Sequence, residues 1–210
     1  MNVAANQEPE PVVAATTVKL QLVAVRVRNG RLEVLHRPKA EESMLPAFVP
    51  REGDEISEAA SERAQELVGT EAHSLQLEVR GRPVEGLTAA YVHLVRPGLP
   101  RTASPQPSSG WSWRDHRRIP MPPADREVVD RAIAFIAGKL EHGDVGFALV
   151  GKEFTVSELR AVHEAILKVS MDPSNFRKRV CRLVKEGAVE ELGRRRATAT
   201  RPARLYRRLR

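Results

Sequence analysis

The segment from Asp172 to Gly187, DPSNFRKRVCRLVKEG, places the strongest constraint on how this chain folds. Asp172 is a residue type that caps a helix N-terminus, Pro173 suits the first helical position, and Gly187 is a typical stop. At roughly 100° per residue, the helix divides into two opposite faces. The apolar face comprises Phe176, Val180, Leu183 and Val184, and the polar face comprises Ser174, Lys178, Cys181, Arg182 and Lys185. Such a helix packs on one side and presents a cationic surface on the other.

A second helix is predicted directly before it, in FTVSELRAVHEAIL. Thr155 and Glu158 have the spacing of a capping box, and Phe154 and Leu159 fit a hydrophobic staple. The short link KVSM between the two helices is typical of a helix-turn-helix. After the stop glycine, AVEEL and ARLYRRL indicate two short strands, and the basic stretch GRRRATATRP between them is predicted to be a loop. Together these elements predict a winged helix.

The charge of the chain is concentrated in the same region. The net charge is +7, yet Phe176 to Arg210 holds 13 Lys and Arg residues against 3 Asp and Glu. The remainder holds 21 basic and 24 acidic residues, so all the excess positive charge lies near the C-terminus. Phosphate contacts dominate nucleic-acid affinity, and this distribution therefore favours a nucleic-acid partner. A disordered basic tail is the alternative, but such a tail needs neither helix caps nor a matched apolar stripe.

The geometry of the basic helix assigns different roles to its side chains. Lys178 and Arg182 point straight outward and are predicted to contact base edges in the major groove. Ser174 and Asn175 lie near the helix start, where they reach the same groove. Side chains to the flanks and in the wing are predicted to bind phosphates: Arg177, Arg179, Lys185, Arg194, Arg195, Arg196 and Arg201. Duplex DNA is the expected partner, and an RNA-binding adaptor is the weaker alternative.

The N-terminal half is predicted to be rich in strands. TVKLQLVAVRVRNGRLEVLHR indicates a β-hairpin, because Asn29-Gly30 is a strong type I′ turn signal. A helix is expected from Ile56 to Val68, ended by Gly69, and SLQLEV and LTAAYVHLV indicate two further strands. The Pro- and Ser-rich stretch RPGLPRTASPQPSSG is expected to be a long surface loop. Strands followed by helices indicate an α+β domain and then a helical domain.

We therefore divide the chain into a flexible leader over residues 1–15, an α+β domain over 16–118 and a DNA-binding domain over 119–210. The first helix of the last domain is expected in DREVVDRAIAFIAGKL, whose apolar stripe comprises Val129, Ile133, Ile136 and Leu140. Trp111 and Trp113 lie near the boundary. We expect them to seal the junction between the domains; the alternative is that they stack on a ligand's base.

Other classes of function find no support in the sequence. No apolar run approaches the roughly 18 residues of a membrane span, and no secretory signal is recognisable. Cys181 is the only cysteine, which excludes an internal disulfide and a thiolate metal cluster. The six histidines have no metal-ligand spacing, and no phosphate-binding loop or nucleophile elbow is present. We predict a cytoplasmic protein without a metal site, a cofactor or catalytic residues.

The C-terminal half resembles the winged-helix end of the Nudix-related transcriptional regulators of NAD metabolism. FALVGKEFTVSELRAVHEAIL, DPSNFRKRV and RPARLYR carry this resemblance, which covers about Phe147 to Arg207. It extends more weakly over the N-terminal half, where the hairpin, LPAFVPREGD and the following helix come in the expected order. The resemblance implies an α+β protein: an N-terminal Nudix-like mixed sheet with helices, followed by a C-terminal winged helix-turn-helix domain.

The stretch from Gly53 to Gly69, GDEISEAASERAQELVG, has the length, acidity and closing glycine of a Nudix box. Registered on Gly69, however, it retains only Glu66 of the core metal ligands, and Arg63 places a cation where a ligand belongs. Mg²⁺ needs hard oxygen ligands from several groups. We therefore expect diphosphate hydrolysis to be absent or vestigial. A plain amphipathic helix is the alternative for this segment.

The resemblance further implies a ligand-sensing repressor. Such regulators bind ADP-ribose or a related NAD derivative in the Nudix-like domain, which changes their hold on DNA at genes of NAD synthesis or salvage. They act as homodimers on palindromic operators. The ligand-binding residues of this chain stay unassigned at this point. The alternative function is a Nudix-type hydrolase of ADP-ribose or a nucleotide with a nucleic-acid-binding appendage.

Overall fold

A computed structural model of the chain describes residues 17–69, 72–82, 86–96, 110–140, 145–198 and 201–209. The expected leader over residues 1–15 lies outside these ranges, as does most of the predicted loop that follows Arg96. The N-terminal strands and helix are β1 (Val18–Arg28), β2 (Arg31–Pro38), β3 (Ser43–Met44), β4 (Ala47–Phe48), α1 (Ile56–Val68), β5 (Ala72–Arg82), β6 (Gly86–Val95) and β7 (Ser112–Asp115).

A short 3₁₀ helix at His116–Arg118 leads into the second half of the chain. Its elements are α2 (Pro123–Leu140), α3 (Val145–Ala148), β8 (Glu153–Phe154), α4 (Val156–Leu167), α5 (Pro173–Lys185), β9 (Val189–Arg196) and β10 (Ala203–Arg208). None of the helices in the described residues combines the length and the apolar character that crossing a bilayer requires.

The described N-terminal strands form one mixed sheet with the order β3-β2-β1-β6-β5, to which β4 adds beside β1 and β7 beside β2. The central pair β1–β6 is parallel, and the other pairs are antiparallel. The predicted hairpin is confirmed: Asn29 and Gly30 both have positive φ, at 50° and 68°, as a type I′ turn requires.

Helix α1 covers one face of this sheet and has the bounds that the sequence predicts. The carboxylate of Glu55 accepts a hydrogen bond from the Glu58 backbone N–H at 2.8 Å and caps the first turn. Gly69 ends the helix in the left-handed conformation, where its N–H donates to the Gln65 carbonyl. Ala60, Ala64, Leu67 and Val68 are buried against the strands. This face carries the smaller of the two apolar cores.

The opposite face of the sheet is covered by α2 and by the C-terminal helices. Val23, Val25, Val92 and Leu94 from the strands belong to one apolar core that continues through the helices as far as Phe176. The apolar stripe predicted for α2, namely Val129, Ile133, Ile136 and Leu140, is buried in it. The sheet and the C-terminal region are therefore joined by continuous packing. The domain boundary between residues 118 and 119 stays a prediction.

The expectation for the two tryptophans is wrong. Ser112–Asp115 forms strand β7, which pairs with β2 and places Trp113 opposite Leu35. Leu35 lies on the α1 side, and both indoles pack against the core of that side. Trp111 and Trp113 are thus separated from the C-terminal helices by the sheet, and they cannot seal a junction with them. An edge strand of four residues gives a weak pattern, which explains why the sequence suggested a boundary here.

Asp125, in the first turn of α2, ties this helix to the sheet. Its carboxylate accepts hydrogen bonds from Gln21 Nε2 of β1 at 2.8 Å and from the Leu45 backbone N–H at 3.1 Å. Arg126 extends the connection, because its guanidinium donates to the carbonyl oxygens of His116 at 2.7 Å and Ile119 at 2.5 Å. These contacts fix the start of α2 on the sheet.

We expect Asp125→Ala to lower the free energy of unfolding by about 2 kcal/mol, because two hydrogen bonds to a charged, half-buried group are lost. Asp130→Ala on the exposed side of the same helix is the matched control and should cost less than about 0.5 kcal/mol. Urea denaturation followed by circular dichroism measures both. Equal losses in the two variants would contradict the anchoring role of Asp125.

Candidate nucleic-acid interface

The predicted start and apolar face of the basic helix are confirmed in α5. The Asp172 carboxylate accepts a hydrogen bond from the Asn175 backbone N–H at 2.8 Å, and Pro173 occupies the first turn. Phe176 and Val180 are buried, and their side chains join the core of the C-terminal region. Leu183 and Val184 pack against the same core and are partly buried. The apolar face therefore fixes which side of α5 meets solvent.

The solvent side of α5 carries the residues that the sequence assigns to base and phosphate contacts. A shallow surface concavity is lined by Ser174, Arg177, Lys178, Cys181, Arg182 and Lys185. All six are exposed, as is Asn175, whereas Arg179 on the far flank is half-buried. Within the described ranges, the side chains of Lys178 and Arg182 make no ion pair. Two cations that no carboxylate neutralises therefore point outward from the centre of this surface.

The turn between α4 and α5 is held by polar contacts from α4. Lys168 ends α4 with φ at 56°, a left-handed conformation. Glu164 then accepts the Met171 backbone N–H at 2.8 Å, while Arg160 donates to the Met171 carbonyl oxygen at 2.9 Å. The predicted capping box is present at the other end, between Thr155 and Glu158. The helix-turn-helix geometry thus depends on side chains at both ends of α4.

His163 of α4 belongs to the packing of this unit. Its Nδ1 donates to the Leu159 carbonyl oxygen at 2.9 Å, and its ring meets Phe176 edge-on with 5.0 Å between the ring centroids. A Cβ on Gly146 of α3 would approach the His163 ring to 2.9 Å, so the three helices meet closely here. Burial lowers the pKa of His163, which favours the neutral ring. The residue is therefore a packing element of this unit.

The wing differs from its predicted form in the length of its first strand. Arg194, Arg195 and Arg196 were expected in a loop, but β9 continues through them. Gly193, with a φ of 67°, lies where the register of β9 and β10 shifts, and pairing resumes after it between Arg195 and Arg204. A glycine takes this backbone conformation without steric cost. The basic residues are therefore held in a sheet rather than in a loop.

Two of the wing arginines are already engaged by acidic side chains. Arg194 pairs with Glu153 of β8. Arg196 pairs with Glu158 at 2.7 Å and donates to the Glu153 carbonyl oxygen at 3.0 Å. Arg195 points to the opposite side of the hairpin, and Arg201 is exposed. The structure thus separates the wing residues that the sequence grouped together, although their contacts with phosphate stay predictions.

The acidic helix α1 also has a defined charge arrangement. Glu58, Glu62 and Glu66 follow at four-residue intervals on its exposed side. Arg63 Nη1 lies 2.7 Å from Glu66 Oε2, so the one retained Nudix-box carboxylate is paired with a cation. Across the part of the chain that is described, no group of three or more His, Cys, Asp or Glu is placed to hold a metal ion.

Beside α1, the sheet presents a cluster of aromatic and charged side chains, defined here as the indole cluster; the sequence offered only its two tryptophans, as the alternative of stacking on a ligand's base. Arg26 is 8% exposed, pairs with Glu33 at 2.7 Å and lies over Trp113 at 4.5 Å from the ring centroid. Arg37 lies over Trp111 at 5.9 Å, and Arg63 over Phe48 at 6.0 Å. The sequence pattern that could have indicated this cluster is Arg26, an arginine inside the apolar strand VAVRVR.

Comparison with known proteins agrees with this architecture. Residues 146–208 match the family model described as the NrtR DNA-binding winged helix domain. The search of curated protein sequences gave no match. Among solved structures, NrtR of Shewanella oneidensis complexed with a 27mer DNA has a TM-score of 0.75 at 20% identity, over 91% of this chain and 93% of that chain.

Two further structures show the same fold. A second crystal structure of NrtR from Shewanella oneidensis has a TM-score of 0.73 at 22% identity, over 92% of this chain and 94% of that chain. A MutT/nudix family protein from Enterococcus faecalis has a TM-score of 0.68 at 19% identity, over 97% and 90%. The predicted fold, a Nudix-like domain with a C-terminal winged helix domain, and the resemblance to Nudix-related regulators are confirmed.

Proposed function

We propose that this protein is a DNA-binding transcriptional regulator that senses a metabolite. The observation that carries the proposal is the exposed cationic side of α5, held outward by buried Phe176 and Val180. The B-DNA major groove is wide enough to admit such a helix. The match of residues 146–208 to a DNA-binding winged helix model and the DNA complex of the Shewanella oneidensis protein support it.

In this proposal, α5 reads the operator and its flanks bind the backbone. Lys178 and Arg182 contact base edges, with Ser174 and Asn175 at the helix start. The other basic residues of α5 bind phosphates, which position the helix without reading sequence. A dimeric helix-turn-helix protein reads two half-sites about one helical turn apart, roughly 34 Å. We therefore propose a homodimer on a palindromic operator.

Lys178→Ala and Arg182→Ala should each weaken operator binding by about 1–3 kcal/mol, because each removes a contact with a base edge. Fluorescence anisotropy measures this affinity with a DNA duplex taken from the region upstream of the protein's own gene. Lys152→Ala is the control: this exposed lysine lies outside α5, and its loss should leave affinity within about twofold. Parental affinity in both α5 variants would show that this surface does not read the operator.

We further propose that the effector is ADP-ribose or another NAD derivative and that it binds at the indole cluster. The exposed guanidinium groups of Arg37 and Arg63 lie beside aromatic rings on the α1 side of the sheet. An indole provides a stacking surface for an adenine base, and guanidinium groups bind phosphate oxygens. The cluster therefore matches the two parts of a nucleotide diphosphate, and its place in a Nudix-like fold supports the assignment.

We expect ADP-ribose to bind the full chain, and Trp113→Ala to weaken binding by about 1–3 kcal/mol through loss of base stacking. Isothermal titration calorimetry measures this directly. Trp113→Phe keeps an aromatic ring and should lose less, which separates stacking from a folding defect. Lys178→Ala is the control: it changes only α5 and should bind ADP-ribose with the affinity of the parent. Unchanged affinity in Trp113→Ala would place the effector elsewhere.

The same chemistry leads us to propose that the Nudix-like domain does not hydrolyse its ligand. Diphosphate hydrolysis needs a divalent cation that bridges several carboxylates and the substrate phosphates. Glu66 is the only core ligand that the Gly69 register retains, and Arg63, 2.7 Å from it, places a cation where a further ligand belongs. A domain of this kind senses the metabolite without consuming it. We propose that the whole protein acts as a cytoplasmic repressor of genes of NAD metabolism, as the resemblance implies.

With Mg²⁺ or Mn²⁺ present, the chain should form no AMP from ADP-ribose, because it lacks the carboxylates that hold the metal. Chromatographic detection of AMP over several hours checks this. The Nudix-type hydrolase remains the competing function, since the structural neighbours include a MutT/nudix family protein. Turnover that is lost in Glu66→Gln would establish the hydrolase and refute the sensor.

A further inference from the structure

We propose that the side of the wing that faces α5 binds a DNA phosphate through Arg204, and that Glu191 occupies the phosphate position while DNA is absent. This inference rests on the proposed DNA-binding function. It adds a residue that the sequence did not select and divides the wing arginines into two groups with different roles.

The pairing of β9 with β10 defines the two sides of the wing. Directly opposite residues of an antiparallel pair share a side, and side chains alternate along each strand. Arg204 is opposite Arg195, and Tyr206 is opposite Glu191. The register shift near Gly193 lies between these two pairs, but Arg204 and Tyr206 are two residues apart on β10, and the Arg204–Glu191 ion pair connects one pair to the other. These four residues therefore lie on one side, which we call the inner side. Arg207 is opposite Glu190, and both lie on the other, outer side.

The inner side is the one next to α5. Tyr206 is buried in the same core as Phe176 and Val180, which are the buried residues of α5. Cys181 and Arg177 of α5 are near enough to influence the pKa of Tyr206, which burial raises. Beyond Tyr206 towards the wing tip, the inner side leaves the core and becomes exposed at Arg204 and Arg195. These cations continue the surface of α5.

The geometry around Arg204 resembles that of a bound phosphate. Its Nη1 lies 2.8 Å from Oε1 and 3.2 Å from Oε2 of Glu191. The Arg204 side chain is 58% exposed and that of Glu191 is 35% exposed. A carboxylate and a phosphate offer the same pair of acceptor oxygens to a guanidinium group. An exposed ion pair contributes little stability, so a DNA phosphate can displace Glu191 at small cost.

The outer side is charge-paired and faces away from α5. Arg194 pairs with Glu153, and Arg207 pairs with Glu190 at 2.8 Å. Arg196 pairs with Glu158 at the start of α4. We infer that these arginines fasten the wing to β8 and α4 and do not bind DNA. Arg195, which has no ion pair within the described residues, joins Arg204 on the inner side.

The chain provides a matched control for the test. Arg204–Glu191 and Arg207–Glu190 join the same two strands with the same 2.8 Å separation, and both arginines are more than half exposed. They differ in the side of the wing on which they lie. Substitutions in the two pairs therefore change the net charge equally, but at different positions relative to α5.

We propose to measure binding of each variant to a mixed-sequence duplex of about three helical turns across a series of salt concentrations. Arg204→Gln should lower the slope of log K against log salt by about 0.9, the value for one lost phosphate contact. Arg207→Gln should leave the slope unchanged. Glu191→Gln should tighten binding by up to about fivefold by releasing Arg204, whereas Glu190→Gln should have a smaller effect.

The result that would overturn the inference is an equal change of slope in Arg204→Gln and Arg207→Gln, or no change in either, while the parent binds the duplex. A parent chain without salt-sensitive binding would instead refute the proposed function. Thermal unfolding of the four variants, expected to agree within a few degrees, confirms that differences in binding do not come from loss of the wing.

Discussion

The apolar contact between the large sheet and the C-terminal helices sets the position of everything that faces solvent. Val25 and Val92 of the central strands are fully buried, as is Ile136 of α2, in the core that also contains Phe176. Since α5 rests on α4 and α4 rests on this core, the cationic side of α5 is fixed relative to the sheet. Close-packed interiors transmit small displacements rather than absorbing them. A change at one face of the sheet therefore has a direct mechanical path to α5.

The arrangement of charge follows from this packing. At the outer side of the wing, basic residues are paired with carboxylates of β8, β9 and α4. At the centre of α5, Lys178 and Arg182 are left without acidic partners in the described residues. Surface ion pairs contribute little to the free energy of folding. Their role here is to hold the long arginine side chains in place. Compared with the paired arginines of the wing, Lys178 and Arg182 are therefore expected to interact more favourably with a polyanion such as DNA.

Much of this architecture follows from local patterns in the sequence. The N-terminal caps of α4 and α5, the bounds of α1 and the Asn29-Gly30 turn are determined by neighbouring residues, and all were predicted correctly. The features that were missed depend on distant partners. Strand β7 exists because β2 offers it a free edge, and the two sides of the wing depend on a register shift at Gly193. The indole cluster likewise joins side chains of β1, β2, β4, β7 and α1, which no local pattern connects.

The parallel pairing of β1 with β6 has a consequence for how the chain folds. Val18 is opposite Leu87, so the centre of the sheet closes only after the intervening segment has been ordered. Loop closure of that length is slow compared with the formation of a helix pair and a hairpin. The helix pair α4–α5 and the hairpin β9–β10 are thus expected to acquire their structure before the centre of the sheet, while the hairpin β1–β2 waits for its parallel neighbour β6.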